Sequence, residues 1–162
     1  MKDHRRRQPG EPEYLLEIGT AVWTFAILEW NAAWCCERIE NNCLPQVAER
    51  TAGGIAKKLI ALIQELPVCA ERDELSADAA RFQELVQTRN RIMHGRPSTD
   101  GDRQARLSDD GQFWTPELLQ DAADSFSECG SRLNKHLHGW LATPSSRQQA
   151  SAVEWTPSLA RS

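Results

Sequence analysis

The chain has 162 residues, a length that suits one domain and is short for two. Its net charge of −4 argues against a surface built for indiscriminate nucleic-acid binding. No apolar run approaches the roughly 20 residues that cross a bilayer, and residues 1–7 lack the apolar region of a secretion signal. The sequence therefore predicts a soluble cytoplasmic protein without a membrane partner.

The cysteines and histidines predict neither disulfides nor a metal centre. The five cysteines form no Cys-x-x-Cys pair and lie at Cys35, Cys36, Cys43, Cys69 and Cys129. An odd number of cysteines without a disulfide spacing pattern is typical of free thiols in a reducing compartment. His136 and His138 have no cysteine pair of ligand spacing beside them. We expect no metal site and no cofactor.

The chain begins with a polar arm and a long helix. Residues 1–12 are charged and interrupted by two prolines and a glycine, which predicts a flexible basic arm. Residues 13–41 predict a helix with two apolar stripes, about 120° apart. The first stripe contains Tyr14, Leu15, Ile18, Val22, Phe25, Ala32, Cys36 and Ile39. The second contains Leu16, Trp23, Ile27, Trp30 and Trp34.

These two stripes leave two questions open for the first helix. The tryptophan stripe faces either a partner chain, since Trp is favoured in interfaces, or the core as one of its walls. Glu29 projects into the first stripe, and a buried carboxylate is costly unless it is paired. We expect Glu29 to meet an arginine, a tryptophan N–H or His94, with a salt bridge to Arg89 preferred.

Three further helices follow. Residues 46–66 predict the second helix and residues 75–94 the third, with Ser76 as its N-terminal cap. Residues 96–114 are polar and form either a short hairpin, from 104–107 and 112–114, or a plain loop. Thr115-Pro116-Glu117 is a strong start for the fourth helix, which runs to about residue 141. Residues 13–141 thus predict an all-α, up-and-down four-helix bundle, and residues 142–162 a flexible tail.

The residues most suited to binding or catalysis lie at the end of the third helix. Arg89, Asn90 and His94 precede Gly95 and Pro97, which stop the helix. An arginine, an amide and an imidazole can bind a phosphate and move a proton near neutral pH. On a helix, Asn90 and His94 lie about 40° apart, whereas Arg89 and His94 lie about 140° apart. Either the last turn unwinds, or two copies pack together and each site draws on both chains.

Arginines continue beyond this helix end. Residues 89–106 contain two aspartates, Asp100 and Asp102, and the five arginines Arg89, Arg91, Arg96, Arg103 and Arg106. The local charge of +3 leaves −7 for the rest of a chain whose total is −4. This basic segment suits either the binding of one anionic substrate or a solvated loop that is rich in arginine.

The segment Arg89-Asn90-Arg91-Ile92-Met93-His94 resembles the Arg-polar-x-x-x-His motif of the HEPN superfamily. The resemblance covers residues 13–141 and includes the helical architecture and the Trp- and Glu-bearing first helix. It implies a homodimer with a composite groove and metal-independent RNA cleavage. His94 would be the general base on the ribose 2′-hydroxyl, Arg89 would hold the scissile phosphate and its developing charge, and Asn90 would orient or hydrogen-bond. Such a nuclease could be a toxin or defence effector held in check by an antitoxin-like protein.

Two other functions fit the same residues. A non-catalytic dimeric module could bind RNA, a nucleotide or a partner protein through the same arginines. A purely structural dimer could instead use the Arg89–Glu29 pair to organise its core. In that case a protonated His94 would only interact favourably with the helix dipole, and Asn90 would only cap the helix.

Overall fold

The computed structural model describes residues 10–143. The elements in chain order are α1 (Pro12–Ile39), α2 (Leu44–Ala48), α3 (Ala52–Gln64), α4 (Ala70–Met93), β1 (Arg96–Thr99), β2 (Ala105–Asp109), β3 (Gln112–Trp114), α5 (Pro116–His138) and a 3₁₀ turn (Trp140–Ala142). The arm and tail predicted for residues 1–12 and 142–162 lie almost entirely outside the described residues. None of the helices between residues 10 and 143 is long and apolar enough to cross a membrane.

Local sequence signals account for most of the helix limits. The hydroxyls of Thr51 and Thr115 each accept a hydrogen bond from the third amide of the following helix, which caps α3 and α5. The second predicted helix is in fact two, because Thr51 adopts an extended conformation to form its cap. α4 begins at Ala70 rather than at Ser76, since the segment before Ser76 places two acids, Glu71 and Asp73, in its first turn.

The helices do not follow the predicted up-and-down order. Contacts between α1 and α5 advance in the same direction, from Glu17–Gln120 to Cys35–Leu133, so these two helices are parallel. α4 runs antiparallel to α3, with Arg72 beside Ile63 and Gly53 beside Val86.

α4 is also antiparallel to α1, so α3 runs in the same direction as α1. Glu29 of α1 lies beside Arg89, and Cys35, further along α1, lies near Asp78. The physical reason for the error is the segment 40–51. It contains α2 and is long enough to carry the chain back along the bundle before α3 starts.

Between α4 and α5 the chain forms a small antiparallel sheet in the order β1-β2-β3. Of the two alternatives for residues 96–114, a short hairpin and a plain loop, the structure has the hairpin, formed by β2 and β3. The sequence did not predict β1, which pairs with β2 from Arg96↔Ser108 to Thr99↔Ala105. The hairpin turns at Asp110-Gly111, both with positive φ, as a tight hairpin turn requires. Tyr14 fastens the sheet to α1. Its hydroxyl donates to the Trp114 carbonyl (2.9 Å) and accepts from the Leu107 amide (2.8 Å).

The core lies where α1, α4 and α5 meet. The ring of Phe25 contacts Phe126 edge-on at 5.1 Å and Phe82 at 6.2 Å between ring centroids. On the α5 side, Gly130 lies close to Leu28, and a Cβ at this position would be 3.5 Å from the Leu28 Cα. All five cysteines are free, and all but Cys69 are buried.

Candidate functional site

The site predicted at the end of α4 is held by the helix and the sheet together. α4 stays helical through Met93, and the His94 amide donates to the Asn90 carbonyl to close its last turn. Gly95 follows where β2 crosses close by. A Cβ at this position would lie 3.1 Å from the Cβ of Leu107 and 3.2 Å from the Ile92 carbonyl oxygen. Glycine therefore lets the sheet pack tightly under the helix end.

Three groups fix the guanidinium of Arg89. Its Nη1 donates to Asn90 Oδ1 at 3.0 Å. The Arg89 Cζ lies 4.8 Å from the centroid of the Phe25 ring, and Nη2 lies 4.0 Å from Glu29 Oε1. The stacking and the amide hydrogen bond preorganise a planar fork of donors. The Arg89–Glu29 pairing is the one that the sequence predicted.

This guanidinium lines an open groove between α1 and α4. The cavity measures about 230 Å³ and is bordered by Val22, Phe25, Ala26, Glu29, Arg89 and Met93. Partial burial raises the pKa of the Glu29 carboxyl above its ordinary value, and the nearby Arg89 opposes that rise. The groove thus presents one cation and one carboxyl on a mostly apolar floor, which suits an anionic group attached to a larger ligand.

His94 lies one helical turn beyond Asn90 and is exposed. Among residues 10–143, no hydrogen bond or ion pair joins its imidazole to Arg89 or to any other residue. α4 stays helical through Met93, so its last turn does not unwind to bring His94 towards Arg89 within one chain. The imidazole is instead open to solvent and to whatever approaches the helix end.

The four other arginines predicted to bind substrate fall into two pairs. Arg91 donates to Asp109 at 2.6 Å and to Gln112 at 3.1 Å, which ties α4 to the sheet. Arg106 stacks on Tyr14, pairs with Glu11 and Asp100, and its side chain is only 10% exposed. The other two, Arg96 and Arg103, are exposed and make no ion pair within the described part of the chain. The positive charge available to a ligand is therefore smaller than the sequence suggested.

One face of α1 is apolar and open. Its exposed residues, hereafter the α1 face, are Leu15, Leu16, Val22, Trp23, Ile27 and Trp30. Trp23 is 68% exposed and Trp30 is 50% exposed, whereas Trp34 packs against the core. Val22 also borders the groove that contains Arg89, so the α1 face is continuous with the candidate site. The tryptophan stripe is thus not a core wall in the single chain, except at Trp34.

A second polar cluster was missed by sequence reasoning. Asp78 and His136 are buried between α4 and α5, with Oδ2 and Nε2 3.0 Å apart. Arg132 reaches Asp78 Oδ1 at 3.7 Å from the solvent side. Asp78 precedes Phe82 by four residues on the buried face of α4, and this spacing could have revealed it.

No protein-family model, no curated protein and no solved structure matches this chain.

Proposed function

We propose that this chain is a metal-independent endoribonuclease that resembles the HEPN superfamily and acts as a homodimer. One observation carries the proposal. The Arg89 guanidinium is held in an open groove by Asn90, Phe25 and Glu29, at the end of the helix that presents His94 to solvent. A fixed fork of donors can hold a phosphate, and an accessible imidazole can remove the proton from the ribose 2′-hydroxyl that attacks it.

In the proposed reaction His94 removes the proton from the ribose 2′-hydroxyl. The 2′-oxygen then attacks the adjacent phosphorus, and the bond from phosphorus to the 5′-oxygen breaks. The products are a 2′,3′-cyclic phosphate and a 5′-hydroxyl, whose oxygen takes up a proton. Arg89 binds the phosphate oxygens as negative charge develops on them, and Asn90 holds the guanidinium in the plane that this contact needs. Of the remaining arginines, Arg96 and Arg103 are free to contact the flanking RNA backbone.

A second copy of the chain would let Arg89 of one protomer and His94 of the other act on the same phosphate. Arg89 and His94 point about 140° apart on one helix, so a single chain does not direct both at one phosphate. A two-fold pairing through the α1 face would bring a second α4 end to the groove, because Val22 belongs to both the α1 face and the groove. It would also cover tryptophans that the single chain leaves in water.

The HEPN resemblance extends the proposal to a biological role. By that resemblance, the chain would serve as a toxin or defence effector. Its regulator would be an antitoxin-like protein that blocks the groove or the helix end. The support for this role is the resemblance of residues 89–94 to the family motif.

The decisive experiment is RNA cleavage in EDTA with analysis of the product ends. We expect cyclic phosphate termini from the wild type and a loss of roughly 10²–10⁴-fold in rate for His94→Ala, the usual contribution of a general base. His138→Ala is the matched control, because His138 is also an exposed histidine at a helix end. Cleavage that survives in His94→Ala at the wild-type rate would remove His94 as the base.

The runner-up is a non-catalytic module that binds RNA, a nucleotide or a partner protein. The observation that favours it is that no hydrogen bond or ion pair joins His94 to Arg89 within residues 10–143. On this alternative, an RNA oligonucleotide binds without being cut, and Arg89→Ala abolishes binding while His94→Ala does not. Equal binding by Arg89→Ala and the wild type would argue against it.

A further inference from the structure

The contact between Glu29 and Arg89 is looser than a hydrogen bond. The 4.0 Å between Oε1 and Nη2 exceeds hydrogen-bonding distance, whereas one N–H of Nη1 donates to Asn90. The Nη2 donors make no hydrogen bond within residues 10–143, so this edge of the guanidinium can bind a ligand. Glu29 lines the same groove, and both side chains are a little over a quarter exposed. An anion that reaches Arg89 must lie beside this carboxyl.

We propose that Glu29 takes up a proton when an anion binds Arg89, so that ligand binding in this groove is coupled to protonation. This inference rests on the proposed function in taking an RNA phosphate as the natural anion. Glu29 is a positioning residue in this scheme. As a carboxylate Glu29 holds Arg89 in the free protein, and as a neutral carboxylic acid it lets the anion bind beside it.

The surroundings of Glu29 dictate the direction of this coupling. One turn away on α1 lie Phe25, Ala26, Ala32 and Ala33, which carry no charge. Within residues 10–143, the charged group that acts on Glu29 from the packed elements is Arg89 of α4. Burial already raises the pKa of the Glu29 carboxyl. A bound anion adds negative charge and screens Arg89, and both effects raise that pKa further.

The sign of the pH dependence follows from linkage. Because the complex binds one more proton than the free protein, anion affinity falls as pH rises between the pKa of free Glu29 and its pKa in the complex. The fall is at most about tenfold per pH unit for a single proton. Above that window Glu29 remains ionised and the affinity is low and constant.

The test uses sulfate, which does not itself titrate near neutral pH. Sulfate binding to the full chain would be followed by NMR shifts of the Arg89 side chain at several values from about pH 5 to 8. We expect wild-type affinity to fall with pH, and Glu29→Gln, which cannot ionise, to bind sulfate with a constant affinity that exceeds the wild-type value at the upper end. Glu13→Gln removes the same charge about 24 Å away along α1 and should behave as the wild type.

Three outcomes would overturn the inference: a pH-independent affinity in the wild type, the same pH slope in Glu29→Gln, or no sulfate binding that depends on Arg89. The fold of each variant is checked from its amide NMR spectrum. Glu29→Ala is a second variant that also lacks the titratable carboxyl group. RNA cleavage in EDTA is scored separately. If sulfate binding is coupled to protonation but RNA is not cleaved, only the proposed nuclease activity is contradicted. If RNA is cleaved but sulfate binding is not coupled to protonation, only the proposed role of Glu29 is contradicted.

Discussion

The Nε2 atom of His136 lies 3.0 Å from Oδ2 of Asp78, and both side chains are buried between α4 and α5. This pair is the main polar contact in the interior that joins these two helices. Cys129 adds a weaker bond, from its Sγ to the Asp78 carbonyl oxygen at 3.7 Å. The cluster lies about 16 Å along α4 from Arg89, which separates its structural role from the candidate site.

Removing one member of this pair should destabilise the fold. Asp78→Ala leaves a buried imidazole without its partner, which costs about 2–3 kcal/mol in the free energy of unfolding. Urea unfolding measures the change, with Asp124→Asn, an exposed carboxylate on α5, as the control. An Asp78→Ala variant as stable as the wild type would mean that water replaces Asp78 as the partner of His136.

Tyr14 makes a second long-range link whose loss is measurable. Its hydroxyl bridges the Leu107 amide and the Trp114 carbonyl, so Tyr14→Phe removes one hydrogen bond from each of these backbone groups. We expect the variant to lose about 1–3 kcal/mol in the free energy of unfolding, since a typical hydrogen bond contributes about 0.5–1.5 kcal/mol. Hydrogen exchange at the Leu107 amide should quicken more than exchange within α3. Unchanged protection at Leu107 would show that the sheet is held to α1 by its apolar contacts alone.

The buried thiols predict a loss of stability in alkali. Burial raises the pKa of Cys35, Cys36 and Cys129 to about 12. Between about pH 9 and 12 the unfolded chain loses these protons while the folded chain keeps them, so stability falls as pH rises. Each thiol contributes up to about 1.4 kcal/mol per pH unit in that window.

Urea unfolding at about pH 8 and 10.5 isolates this effect in variants. Cys129→Ala should lose less stability on that pH change than the wild type, because one buried thiol is gone. Cys69→Ala, which removes the partly exposed cysteine, should lose as much as the wild type. Identical pH slopes for all three proteins would show that the Cys129 thiol ionises as easily in the folded chain as in the unfolded one.

The helices could be predicted from sequence because their signals are local. The Thr115 cap and the spacing of apolar residues in α4 each involve residues that lie within one or two helical turns of one another. The direction of α3 could not be predicted in this way. It depends on how the segment 40–51 returns along the bundle, and contacts such as Glu17–Gln120 join residues that are far apart in the chain.

The candidate site was predicted in part for the same reason. Arg89 and Asn90 are adjacent, and helical spacing placed Glu29 on a buried stripe, so their grouping followed from local geometry. Arg106 looked available to a ligand in the sequence. Its partner Glu11 is 95 residues earlier, and only the folded chain shows that this arginine is sequestered. Asp78 pairs with His136, 58 residues later, and this pair was not predicted because Asp78 was not recognised as a residue of the buried face of α4.

The α1 face supplies the test of the dimer on which the proposed nuclease depends. Trp30→Glu places a charge at the C-terminal end of this face, at a side chain that is 50% exposed in the single chain. If a second copy covers the face, the buried glutamate is unpaired and the dimer dissociates. Sedimentation at micromolar concentration should show a dimer for the wild type and a monomer for Trp30→Glu, and the variant should lose RNA cleavage together with dimerisation.

Val68→Glu is the matched control for this prediction. Val68 is 80% exposed and lies between α3 and α4, away from the α1 face. The same substitution there should leave both the dimer and the cleavage rate unchanged, because it charges an apolar residue that no interface covers. A monomeric wild type that cuts RNA would contradict the composite site, because one chain directs Arg89 and His94 about 140° apart. A Trp30→Glu dimer would place the interface on another surface of the chain.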